Sequence, residues 1–98
     1  MSLVRSLLTL LIATTISSVS MAAVTLEGDP KVAFIYFSPK NDGGWTEAHE
    51  RGRLKTAEAL GLDLAYVENV EETTEAVRQV VDLYLDRGYN IIIGTSYG

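Results

Sequence analysis

Residues 31–53 read KVAFIYFSPKNDGGWTEAHERGR, and this stretch decides the fold. Residues 32–37 are a short apolar run, β-branched and aromatic, bounded by Pro30 and by Ser38-Pro39. Such a run suits a strand buried on both faces, as in a parallel sheet. Asn41-Asp42-Gly43-Gly44 has the composition of a turn. Trp45 then opens a helical pattern that runs to about Leu60, and Gly61 stops it as a C-terminal glycine. In an open α/β sheet, ligands bind outside the carboxyl ends of the strands, near helix N-termini. The turn and Trp45 occupy that place, so a functional site is expected there.

Working outward, a second strand is expected at residues 64–67, followed by an acidic loop over 68–72. Thr73 or Thr74 can cap a second helix, with Glu75 in its first turn, where negative charge favours the dipole. Val77, Val80, Val81, Tyr84 and Leu85 stand at i, i+3, i+4, i+7 and i+8, an amphipathic helix that Asp86-Arg87-Gly88 ends. Ile91-Ile92-Ile93 is a third buried strand. The first helix is less regular. Its apolar positions are Trp45, Ala48, Leu54, Ala57 and Leu60, and Gly52 among them predicts close approach of the sheet. The order is β-α-β-α-β, with connections long enough for right-handed parallel crossovers. This is an α/β chain with part of a doubly wound parallel sheet.

Upstream, residues 1–5 carry one positive charge, residues 7–16 are apolar with threonines, and residues 17–23 are mostly small. This is the anatomy of a secretory signal peptide over residues 1–22, with cleavage after Ala22 or Ser20. Its apolar core is shorter than the roughly 20 residues a membrane span needs. Cleavage removes Arg5 and leaves all 13 acids against 7 of the 8 Lys and Arg, a formal charge of −6. An acidic chain without a basic stripe is a poor nucleic-acid binder and is repelled by anionic membrane surfaces. The chain has no cysteine, hence no disulfide and no lipid attachment at the cleavage site. The expected product is exported, periplasmic or cell-membrane-associated, and not a lipoprotein. Residues 23–98 form one partial domain, and a core of this size is marginal.

The motif N-D-G-G-W-T-x-A-H-x-x-G-R after the first strand, Tyr66-Val67-Glu68-Asn69-Val70, and Gly94-Thr95-Ser96-Tyr97-Gly98 occur in this order. Together they resemble the basic membrane protein family, substrate-binding proteins of bacterial ABC importers, many related to purine-nucleoside receptors. The resemblance covers residues 31–98. It implies strand order 2-1-3, a helix on each face of the sheet, and the first part of the N-terminal lobe of a type I periplasmic binding protein. It implies a purine nucleoside or base as ligand, captured by hinge closure between two lobes. It also implies an ABC permease in the inner membrane as partner, no cofactor, and a binder rather than an enzyme. Family members carry two lobes on a much longer chain, and this sequence ends inside the first. The third strand is then an exposed edge. A truncated remnant without binding activity is the alternative, because small-molecule sites enclose most of their ligand.

The candidate ligand-binding residues are Asp42, Gly43, Trp45, His49, Ser96 and Tyr97. Asp42 can accept hydrogen bonds from a ligand, or else bond turn and helix N-terminal amides. Trp45, the only tryptophan, offers a face for a nucleobase or a core anchor. Gly43 and Gly44 permit the turn and a close ligand approach. His49 follows Trp45 by one helical turn and is expected at the same cleft mouth. A lone histidine makes no metal site. Ser96 and Tyr97 end the third strand, where Ser96 can bond a ligand or loop backbone. Residues 94–98 also match G-x-S-x-G, but a nucleophile elbow needs its acid and histidine later in the chain, and His49, the one histidine, precedes it. Glu68, Glu71, Glu72 and Glu75 lack the alternation and the glycine of a calcium loop and read as a solvated face.

Overall fold

A computed structural model of the chain describes residue 23 and residues 25–96. The expected signal peptide and Tyr97 lie outside the described residues. Three strands, β1 (Val32–Ile35), β2 (Ala65–Val67) and β3 (Ile91–Gly94), alternate with two helices, α1 (Trp45–Leu60) and α2 (Thr74–Asp86). The sheet order is β2-β1-β3 and both pairings are parallel. Phe34 stands level with Tyr66 on one side and Ile93 on the other, and Ile35 level with Val67 and Gly94. The fold is α/β with the 2-1-3 sheet. Strand β1 stops at Ile35, two residues short of the expected end. Tyr36 still bonds the β2 side, its N–H to the Val67 carbonyl (2.8 Å) and its carbonyl to the Val70 N–H (3.1 Å), before Ser38-Pro39 turns the chain away.

Alternation along β1 separates two faces of different chemistry. Ala33 and Ile35 point to the α2 side, where they cluster with Val70 and Tyr84. Phe37, Val67, Val77, Val80, Val81 and Ile92 pack around them. This is the apolar core. Thr73 caps α2, its hydroxyl accepting from the Ala76 N–H at 3.1 Å. Leu85, expected in the buried stripe, is exposed. It lies at the margin of the arc that Val77, Val81 and Tyr84 centre on the sheet, and three strands do not reach it.

Phe34 and Tyr36 point to the other face, under α1. Here most of the apolar positions expected to pack are outside: Trp45, Ala48, Leu54 and Leu60 are exposed, and Ala57 alone is half-buried. The stripe that meets the sheet is Thr46, Glu50, Arg53 and Ala57, at i, i+4, i+7 and i+11, and Thr46 and Glu50 are buried. Polar residues are tolerated there because each is bonded. The Tyr36 hydroxyl donates to Glu50 (2.8 Å). Arg53 holds both carboxylate oxygens of Glu50 (2.5 and 2.8 Å) and donates to the Leu64 carbonyl (2.6 Å). Its guanidinium lies 4.5 Å from the Tyr66 ring centre, and Tyr66 stacks on Tyr36. Burial first, then the Glu50 carboxylate, pushes the Tyr36 hydroxyl well above the ordinary tyrosine range. Gly52 is not the point of approach expected: a Cβ there would meet nothing within 4 Å. It is exposed on the flank of α1.

The lead-in to β1 is pinned from the far end of the chain. The Asn90 side chain accepts from the Lys31 N–H (2.8 Å) and donates to the carbonyls of Glu27 (3.2 Å) and Asp29 (2.9 Å). Among the described residues no helix is long and apolar enough to cross a membrane.

Candidate functional site

The carboxyl end of β1 runs into the turn that starts α1. Gly44 stands at the cap position and has no side chain to offer, so Asp42 caps from two residues upstream. One carboxylate oxygen accepts from the Gly44 N–H (2.8 Å) and the Glu47 N–H (3.1 Å). The other accepts from the Ser38 hydroxyl (2.8 Å) and the Thr46 N–H (3.3 Å). A carboxylate offers about four lone-pair sites, and four donors meet them. The Ser38 proton points to Asp42, so the buried Thr46 hydroxyl donates to Ser38 (2.5 Å). These bonds, led by the Gly44 amide and the Ser38 hydroxyl, hold the Asp42 carboxyl down at about 2. The side chain is ionised at neutral pH. Gly43 has φ +74, the left-handed region that favours glycine, and a Cβ there would meet nothing. Backbone conformation is what the chain itself asks of this glycine.

Trp45 begins the helix and is 51% exposed. Its indole N–H donates to the Thr95 carbonyl at 2.5 Å. The ring is therefore oriented from the residue that follows β3, fifty residues away, and its N–H is already engaged. Thr95 is fixed in turn: its N–H and its hydroxyl both donate to the Ile35 carbonyl (3.1 and 3.0 Å). His49 lies behind Trp45, ring centres 4.9 Å apart. Its Nδ1 lies 2.8 Å from the Trp45 carbonyl, an acceptor, so Nδ1 carries the proton. His49 also lines an open hollow of about 320 Å³ on the flank of α1 with Phe34, Ala48, Gly52, Arg53 and Thr56.

Ser96 follows Thr95 and is exposed. It lines a second open hollow, of about 660 Å³, between the ends of β1 and β3 and the start of α2. Phe37, Thr73, Val77, Arg78 and Gly94 share that lining. The structure thus brings Asp42, Gly43 and Trp45 to the end of β1 and sets the Thr95-Ser96 backbone beside them. His49 sits one turn down the helix. Tyr97 lies outside the described residues. Among the described residues no group of three His, Cys, Asp or Glu side chains could hold a metal ion.

Three residues that organise this site were not singled out in the sequence: Ser38, Thr46 and Thr95. Each acts only after β1, α1 and β3 have been brought together. The nearest signal was Asp42 itself, whose capping role is legible from its position before a helix.

The chain is similar to a purine-binding protein. That relative, from Brucella abortus, is 35% identical over 91 residues, which take in 91% of this chain and 26% of the relative. A second relative, metabotropic glutamate receptor-like protein J of Dictyostelium discoideum, is 30% identical over 75 residues, 76% of this chain and 10% of that protein. The chain therefore spans about a quarter of the first relative's length and a tenth of the second's. No protein-family model matches it.

Proposed function

We propose that this chain is part of a solute-binding protein that takes a purine base or nucleoside and stacks it on the half-exposed Trp45. The observation that carries this reading is Trp45 itself. A half-exposed indole, tethered through its N–H, stands at the carboxyl ends of the strands, where open α/β sheets bind ligands. The relative's purine-binding name supports the ligand class. In this reading Trp45 stacks the base, Gly43 lets the ligand approach, and His49, Ser96 and Tyr97 border it. Asp42 holds the turn. The opposite wall comes from a second lobe that closes over the ligand. The protein acts as a binder, not a catalyst. After export it delivers its ligand to an ABC permease of the inner membrane.

Because Trp45 is the only tryptophan, its emission reports on this position alone. Titration with adenine, adenosine and guanosine is expected to quench it, with uridine weaker. Trp45→Ala should lower purine affinity about tenfold or more by calorimetry, in the range of a lost base–aromatic stack. Unchanged emission together with no heat of binding for any purine would refute the reading.

A further inference from the structure

We infer that Thr95 is a positioning residue of the Trp45 site: its buried hydroxyl fixes the backbone whose carbonyl holds the indole, and so sets how strongly a flat ligand stacks there. The inference deepens the purine reading and rests on it for the ligand, but not for the hold on the ring.

Trp45 is the first residue of α1 and is half-exposed, so packing by its own helix does not settle the ring among its rotamers. His49 lies against it, ring centres 4.9 Å apart, but the His49 bond goes to the Trp45 carbonyl and not to the indole. The directed bond to the ring comes from Thr95, whose carbonyl accepts from the indole N–H at 2.5 Å. Thr95 is buried, and it gives two donors to one acceptor. Its N–H (3.1 Å) and its hydroxyl (3.0 Å) both reach the carbonyl of Ile35, a buried residue of the central strand. A carbonyl oxygen offers two lone pairs, and Thr95 supplies a donor for each. The N–H bond is open to any residue but proline at this position. The hydroxyl bond is what this side chain adds. Attached at two points, Thr95 is fixed in orientation as well as in place, and its carbonyl is aimed at the indole.

A ligand that stacks on an unfixed ring must order it first, and that cost comes off the affinity; a ring held beforehand avoids it. Thr95→Val keeps the shape of the side chain and deletes the hydroxyl, which leaves one attachment point and a buried carbonyl short of a donor. Thr95→Ser keeps the hydroxyl. A hydroxyl that served the fold alone would change stability and leave the ring and the ligand affinity of the folded protein as they are. A positioning hydroxyl acts on the ligand through the indole N–H and needs that N–H to act. Phenylalanine at position 45 keeps an aromatic face without an N–H, so in Trp45→Phe the Thr95 hydroxyl should lose its effect on the ligand.

The test is a double-mutant cycle. Thr95→Val and Thr95→Ser are made with Trp45 present and with Trp45→Phe, and adenosine affinity is measured by calorimetry. The near-ultraviolet circular dichroism of the indole is recorded without ligand wherever Trp45 is present. Thr95→Val is expected to lose most of the indole signal and to bind adenosine about three- to tenfold more weakly, the worth of one neutral hydrogen bond. Thr95→Ser should restore both. With Trp45→Phe, Thr95→Val should change the affinity by less than about twofold. An unchanged indole signal in folded Thr95→Val overturns the inference, as does an affinity loss of equal size in both backgrounds. If Thr95→Val does not fold, Thr95→Ala replaces it and is read the same way. On the wild type itself, an indole N–H that exchanges with deuterium as fast as free tryptophan also overturns it. If no purine binds, the purine reading fails by itself, and the indole signal then decides for Thr95: loss in Thr95→Val with recovery in Thr95→Ser upholds the hold on the ring, and no change refutes it.

Discussion

Asp42 ties Ser38, at the end of β1, to the first turn of α1 through four hydrogen bonds. Its carboxyl is held at about 2, against an ordinary aspartate value near 3.9 in the unfolded chain. The folded value is the lower one, so the charged form favours the fold. That contribution is complete above the unfolded value and is lost as pH falls through about 2. The difference in urea midpoint between wild type and Asp42→Asn should hold steady from pH 7 to about 5 and shrink between about 4 and 2. A difference that stays constant down to pH 2 would show that the charge is not what matters. At this scale the turn was readable from composition, and so was a capping role for Asp42. Ser38 and Thr46 were not, because a hydroxyl four or eight residues from its partner has no local signature; only the strand-to-helix geometry joins them.

Helix α2 and helix α1 show what periodicity can and cannot do. On α2 the apolar spacing marks the buried stripe and errs only at Leu85, on its margin. On α1 the same rule finds only Ala57, because the rest of the stripe that meets the sheet is Thr46, Glu50 and Arg53. Hydrophobic periodicity assumes that the buried face is apolar, and a bonded Tyr36–Glu50–Arg53 cluster breaks that assumption. The pair matters most when halved. Arg53→Met leaves the Glu50 carboxylate buried with only Tyr36 to bond it, and should cost about 3–5 kcal/mol in urea denaturation. The double change Glu50→Gln with Arg53→Met should recover most of that loss, since no charge is then stranded. A single variant within about 1 kcal/mol of wild type would show that water reaches the carboxylate. The Arg53 guanidinium is what holds Glu50 below the usual carboxylate range, so acid should weaken this cluster as well.

Across the described residues, β1 is the strand with a partner on each side; it carries Ala33 and Ile35 and leads into Tyr36, all fully or nearly fully buried. Hydrogen exchange should be slowest at its amides and faster at β2 and β3, which each have one partner among the described residues. Equal protection across the three strands would argue against this arrangement. The parallel β-α-β-α-β plan was legible in run lengths and turn residues, whereas strand order came through the family resemblance. Contacts that cross the molecule, Asn90 to Lys31 and Trp45 to Thr95, were legible in neither. The last of these has a consequence in time. Trp45 leaves the ribosome fifty residues ahead of its acceptor, so its ring cannot be seated while the chain is being made up to β3. Whatever the first strand and helix do early, the Trp45 N–H finds its acceptor only when residue 95 arrives. The emission of that one indole therefore reports the docking of the segment after β3 rather than the formation of α1.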